Sequence, residues 1–180
     1  KGNLLGVSGG SICGGIPKYK VYRGCYEVNK IRVPSDYGSW FDDLYPTYGV
    51  FDKTNYLWNF HKVVEEDYQD LIVVEGFKAA LALIQKGVKN VVALMGSNLS
   101  DEQLNTLRRY RVRIHLMLDN DLGGQTGTKI CIKKMFPYFE LFKVVYESKQ
   151  PDELTKEQLQ KSLSSGEKVT RQDYISSKEH

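Results

Sequence analysis

Leu116-Met117-Leu118-Asp119-Asn120-Asp121-Leu122-Gly123-Gly124 decides the fold, read together with Leu71-Ile72-Val73-Val74-Glu75-Gly76 about 45 residues earlier. In each stretch an apolar run ends on a carboxylate and glycine follows. Short apolar runs of this kind are the signature of strands buried on both faces of a parallel sheet. Ligands of such sheets collect beyond the carboxyl ends of the strands. Asp119 and Asp121 are two apart, so an extended backbone projects both to one side. Glu75, Asp119 and Asp121 are thereby expected at the mouths of two buried strands. Hard cations such as Mg²⁺ take carboxylate oxygens, waters and substrate phosphates, so the pattern suggests a divalent metal site with phosphate chemistry. The plain alternative is that each acid merely caps a helix or ends a strand. His115 and the cysteines are poorly placed for a softer metal.

Outward from these stretches the pattern is regular α/β. The strand Leu71–Val74 leads into a helix from Phe77 to about Gln85, with Ala80, Leu83 and Ile84 inward and Gly87 as its stop. A strand Val91–Met95 runs into Gly96-Ser97-Asn98. Ser100 with Gln103 then forms a capping-box signature for a helix buried through Leu104 and Leu107. The strand Val112–Leu118 ends at the paired aspartates. A helix over about Gly127 to Met135 and a strand Phe142–Tyr146 complete the unit. Strands alternating with helices through short links mean a parallel sheet with right-handed crossovers. Before this unit, residues 56–66 read as a short helix with Leu57, Phe60 and Val64 at spacings of three and four. After it, Thr155 with Gln158 caps a polar helix through about Leu163, and residues 164–180 read as a polar, frayed tail.

At 180 residues, 41% hydrophobic and 26% charged, the chain is an ordinary globular protein with room for one well-buried core. No apolar run approaches the roughly 20 residues of a membrane span, and no secretory leader is evident. Cys13, Cys25 and Cys131 are few, odd in number and widely spaced, which points to a reducing compartment and away from a complete zinc site. The first residue is Lys1 rather than methionine, and the chain reads as a segment of a longer protein.

Charge is unevenly spread. Residues 1–34 carry six cations against Glu27 alone, a local net charge of +5. Lys18, Lys20 and Arg23 alternate with Tyr19, Tyr22 and Tyr26. Cations track a phosphate backbone and rings stack on bases; equally, a solvated sheet can pack its tyrosines on itself. The glycine pairs 9–10 and 14–15 punctuate short strands here, and residues 35–50 read as a surface excursion.

Glu75-Gly76, the strand running into Gly96, and Asp119-x-Asp121 before Gly123-Gly124 resemble the toprim domain of bacterial-type primases, topoisomerases and small nucleases. The resemblance covers about residues 69–148. The flanks are most similar to the RNA polymerase domain of DnaG-type primases of bacteria and phages. Gly6-Val7-Ser8-Gly9-Gly10 with Pro17-Lys18-Tyr19 resembles its glycine-rich strand and Pro-Lys-Tyr element. Phe51-Asp52-Lys53 with Leu57-Trp58-Asn59 resembles the stretch before its toprim strand, and Pro151-Asp152-Glu153-Leu154 its Asp-Pro-Asp-Glu element. The chain departs from the pattern at Ala79 and Gln150, where the family usually has aspartates, and at Gly10, where it commonly has arginine. Fewer acids mean weaker or fewer bound cations.

The resemblance implies an α/β toprim fold, a compact parallel sheet flanked by helices, over residues 69–148. A smaller α+β basic subdomain over 1–68 would precede it, and the start of a helical extension over 149–180 would follow. It implies metal-dependent, template-directed synthesis of RNA primers, with Glu75, Asp119 and Asp121 as catalytic residues and, with Asp152, as ligands of Mg²⁺ or Mn²⁺. Lys18, Tyr19, Lys20, Arg23 and Lys53 would contact nucleic acid or nucleotide. The implied partners are a single-stranded DNA template, nucleoside triphosphates and a replicative helicase, with no membrane, in the cytoplasm of a bacterial cell or phage-infected host. Two other readings use the same acids: a toprim nuclease or topoisomerase-like strand-cleaving enzyme, and a binding module that holds nucleic acid without catalysis. Lys78, three residues after Glu75, could replace some lost positive charge or simply point outward.

Overall fold

The structure is a computed structural model. It describes residues 53–178, together with the backbone of four strands nearer the N-terminus. These are Val7–Gly10 (β1), Tyr19–Tyr22 (β2), Cys25–Val28 (β3) and Ile31–Pro34 (β4). Strands β1 and β2 pair antiparallel, as do β3 and β4. The chain divides into two compact units, Lys1–Lys53 and Thr54–His180.

The second unit holds a five-stranded sheet in the order β6-β5-β7-β8-β9. Its strands are Asp70–Val74 (β5), Val91–Ala93 (β6), Arg113–Leu116 (β7), Leu141–Lys143 (β8) and Glu167–Lys168 (β9). β5 pairs parallel with β6 and β7, and β7 with β8. Consecutive residues of β5 are buried on opposite faces. Leu71 and Val73 join one apolar cluster, and Ile72 and Val74 the other. The first cluster is closed by helices α1 (Phe60–Glu65), α3 (Asp101–Leu107) and α4 (Leu122–Met135) through Val63, Leu104, Leu107, Cys131 and Met135. The second is closed by α2 (Phe77–Gln85) and α5 (Lys156–Ser164) through Ala79, Ala80, Leu83 and Leu159. This is the α/β sandwich that the apolar runs imply, with every carboxyl end of the parallel strands on one edge.

Local signals act where expected. Gly87 takes φ 95° after α2, the left-handed conformation that glycine adopts without a Cβ penalty. The Ser100–Gln103 and Thr155–Gln158 capping boxes are both formed. Gln103 is also a buried polar anchor, its amide donating to the Tyr56 and Leu94 carbonyls at 2.8 Å each. Among the described residues no helix is long and apolar enough to cross a membrane.

Four expectations are corrected. The sheet is mixed rather than wholly parallel, because β9 adds antiparallel to β8. The tail from residue 164 is therefore ordered through Lys178. Val169 is buried, and Thr170 caps helix α6 (Arg171–Ser176) with Asp173, whose carboxyl is drawn down to about 2 by Thr170 and then by Lys143. The helix expected over 56–66 is confined to Phe60–Glu65, with Val63 rather than Val64 buried; Trp58 instead exchanges backbone hydrogen bonds with Ala93 at the edge of the sheet. Helix α4 starts at Leu122, five residues before the expected Gly127. Its glycines are needed for close approach. A Cβ on Gly124 would lie 1.9 Å from the Asp119 carbonyl oxygen, and one on Gly127 would lie 2.2 Å from that of Ser97.

Candidate active site

Glu75 directly follows β5, and its carbonyl accepts a hydrogen bond from Gly96 at 3.3 Å, which ties it to the loop after β6. Asp119 follows the apolar run that continues past β7, where the Met117 N–H donates to the Val73 carbonyl at 2.9 Å and keeps the two strand exits side by side. Met95, just before Gly96 in the loop after β6, holds φ 59° without being glycine, so the backbone at this edge carries strain.

The carboxylates sense one another. The Glu75 carboxyl is pushed up to about 7, first by burial and then by the negative charges of Asp119 and Asp121. The Asp119 backbone N–H donates to Glu75, yet Glu75 Oε1 is buried with no hydrogen-bond partner. Asp119 is also raised, by burial first and then by Asp121 and Asp152, against a hydrogen bond donated by the Gln150 side chain. Asp121 is exposed and caps α4, its Oδ1 accepting the Gly124 N–H at 2.8 Å. For this side chain the helix-capping alternative is realised, alongside its coupling to the other acids.

Asp152 arrives from a different element, the 3-10 turn Pro151–Glu153. Its carboxylate pairs with Lys78 Nζ at 3.0 Å, and Lys86 Nζ donates to its carbonyl at 2.7 Å. Lys78 is therefore part of the acidic edge rather than merely an outward lysine. What brings the turn there is Asn120. Its amide donates to the carbonyls of Tyr146 at 2.6 Å and Ser148 at 3.0 Å, and its backbone N–H donates to that of Lys149 at 2.8 Å. The buried Tyr146 hydroxyl donates to the Leu118 carbonyl, its pKa held high by burial and then by Asp119.

Among the described residues no three His, Cys, Asp or Glu side chains are gathered closely enough to hold a metal ion unaided. The donor set nonetheless fits a hard cation that keeps most of its waters. It offers oxygen ligands only, one of them a buried, unpartnered carboxylate oxygen, in a cluster where burial and then neighbouring carboxylates disfavour the charged forms of Glu75 and Asp119.

The two departures acquire physical meaning. Ala79 is 6% exposed within the apolar cluster under α2, so that position serves packing. Gln150 gives Asp119 a hydrogen-bond donor where an acid would repel it. Of the basic candidates, Tyr19 and Lys20 lie on β2, and Lys53 is exposed at the head of a 3-10 turn, Lys53–Asn55. Lys18 and Arg23 lie outside the described residues. Cys131 is a buried packing thiol, which burial pushes up to about 12. The sequence alone assigns no positioning role to Asn120, Gln150 or Tyr146. The alternation of the aspartates was the available signal for Asn120, since it turns the intervening side chain towards the neighbouring β8 segment.

The Toprim-like family matches residues 72–155. A DNA primase of Staphylococcus aureus (strain MSSA476) is 29% identical over 130 residues, which cover 71% of this chain and 18% of that protein. A DNA primase of Clostridium acetobutylicum is 33% identical over 98 residues, 51% of this chain and 16% of that protein. The chain thus spans about a fifth of the length of these curated relatives. A crystal structure of the Aquifex aeolicus primase, comprising its zinc-binding and RNA polymerase domains, superposes with a TM-score of 0.68 at 25% identity. It covers 93% of this chain and 38% of that one. Over residues 72–155 the chain therefore resembles the Toprim-like family, and family match, relatives and superposition together make it similar to bacterial DNA primases.

Proposed function

We propose that the chain is the catalytic core of a DNA primase, synthesising short RNA primers on single-stranded DNA as a nucleotidyltransferase. The observation that carries the reading is the grouping of Glu75, Asp119 and Asp121 at one sheet edge, with Glu75 Oε1 buried and unpartnered and its carboxyl near 7. In this reading Asp119 and Asp121, with Glu75 or Asp152, hold Mg²⁺ or Mn²⁺. When bound, the ion neutralises charge on the triphosphate oxygens. Glu75, poised near neutral pH, accepts the proton of the attacking 3′-hydroxyl. Gln150 holds Asp119 in place, and Lys78 offsets Asp152. Lys18, Tyr19, Lys20, Arg23 and Lys53 contact the template or nucleotide, where phosphate contacts position rather than specify. The basic segment 1–68, the toprim segment 69–148 and the helical segment beyond would then act as one polymerase core, with a replicative helicase as partner, in the cytoplasm.

A second reading, a module that holds nucleic acid without catalysis, draws on the engagement of Asp121 with the α4 N-terminus and of Asp152 with Lys78. Labelled ribonucleotide incorporation on single-stranded DNA with Mg²⁺ or Mn²⁺, run beside Asp121→Asn, separates the two. Product that disappears in the variant supports the primase. DNA binding with no product from either protein supports the module.

A further inference from the structure

The opposite end of the sheet carries a second chemically distinct surface. Gln69, Arg113 and Glu140 mark the starts of β5, β7 and β8, and there the chain forms an open groove of about 750 Å³. Its walls include Arg108, Tyr110, Arg111, Tyr138 and Phe139. Six residues of extended chain from Gln69 to Glu75 place it about 20 Å from the acidic edge.

The groove's charges are not all equivalent. Arg113 is paired with Asp70, and Glu140 with Lys168 at 2.6 Å. Among the described residues neither Arg108 nor Arg111 has a carboxylate within ion-pair distance. The Arg108 guanidinium lies 4.0 Å above the Tyr138 ring, and Tyr138 is 50% exposed. Tyr110 is fixed edge-on against Phe60 at 5.1 Å between ring centroids and is 38% exposed. Two uncompensated guanidinium groups thus flank two braced, half-exposed rings.

We infer that this groove binds single-stranded nucleic acid, with Arg108 and Arg111 on its phosphates and the Tyr110 and Tyr138 rings against its bases. A groove that combines cations with exposed rings matches a strand that offers phosphates and base faces together. An acidic peptide would use the arginines and leave the rings unanswered. The surface is distinct from the acidic edge and requires neither metal nor nucleotide addition.

The test uses the whole chain in EDTA with a thymidine oligonucleotide carrying a photoreactive base. Cross-links are expected at Tyr110 or Tyr138, and Asp121→Asn should not change them. The double variant Arg108→Ala, Arg111→Ala should weaken binding by about tenfold and reduce the slope of log affinity against log salt by about 1.4, the value for two single-strand phosphate contacts. Both side chains are exposed, and an unchanged circular dichroism melt confirms the fold. Unchanged affinity and slope, with no cross-link between residues 108 and 140, would overturn the inference. So would protection of these tyrosines by a glutamate-rich peptide but not by the oligonucleotide, which would make the groove a protein-docking surface. Because metal and nucleotides are absent, failure of primer synthesis leaves this test unaffected.

Discussion

The Asn120 side chain, set between the two aspartates, donates to the Tyr146 carbonyl at 2.6 Å and so fastens the segment after β8 to the exit of β7. A second bond to Ser148 carries the fastening towards Gln150 and Asp152. Asn120→Ala leaves two carbonyls without this partner, at about 1 kcal/mol each. The chain should lose about 1–3 kcal/mol in urea unfolding, and Mn²⁺ affinity should fall because Gln150 and Asp152 are no longer held. Unchanged metal affinity in the folded variant would show that the turn is positioned by other contacts.

Gly124 and Gly123 are neighbours in α4 with opposite tolerance. A Cβ at 124 meets the Asp119 backbone at 1.9 Å, whereas one at 123 meets only Asp121 Oδ1, at 3.2 Å. Alanine intrinsically favours a helix by about 1 kcal/mol over glycine. Gly124→Ala should nevertheless destabilise by about 1–3 kcal/mol through the backbone clash, while Gly123→Ala stays near neutral. Equal melting temperatures for the two variants would contradict the close approach.

Glu75 gives the fold a pH dependence. Its carboxyl is raised from 4.5 to about 7, so the folded chain holds this proton more tightly than the unfolded chain. The stabilisation is complete below the unfolded value and is lost as pH rises through the folded one. Glu75→Gln, neutral throughout, should exceed the parent in stability at about pH 8 more than at about pH 5. Denaturant midpoints at both pH values provide the check, and an equal difference at each would remove the assigned cause. Mg²⁺ should stabilise the parent more at the higher pH, where the acids are charged.

Gln150→Asp replaces a donor to Asp119 with another negative charge. Without metal, the variant should be less stable than the parent at about pH 8, by roughly 1 kcal/mol for one lost charge-assisted hydrogen bond. Its Mn²⁺ affinity should rise, since affinity follows ligand charge. Calorimetric titration of both proteins measures this, and weaker binding by the variant would place residue 150 outside the metal's reach.

The sequence alone determined the alternating strands and helices, the capping boxes at Ser100 and Thr155, the stop at Gly87 and the delivery of Glu75 and Asp119 to strand ends. All of these rest on local periodicity, on backbone preference or on the residue that follows an apolar run. Only the tertiary structure decided that Gly123-Gly124 open a helix, because the need for glycine comes from the Asp119 backbone rather than from neighbours in sequence. It also decided that Lys78 pairs with Asp152 and that Gln150 donates to Asp119, since each pair joins elements distant along the chain. The antiparallel β9 was illegible for a related reason: a two-residue strand has no period to read, and it forms where Val169 finds a place in the core.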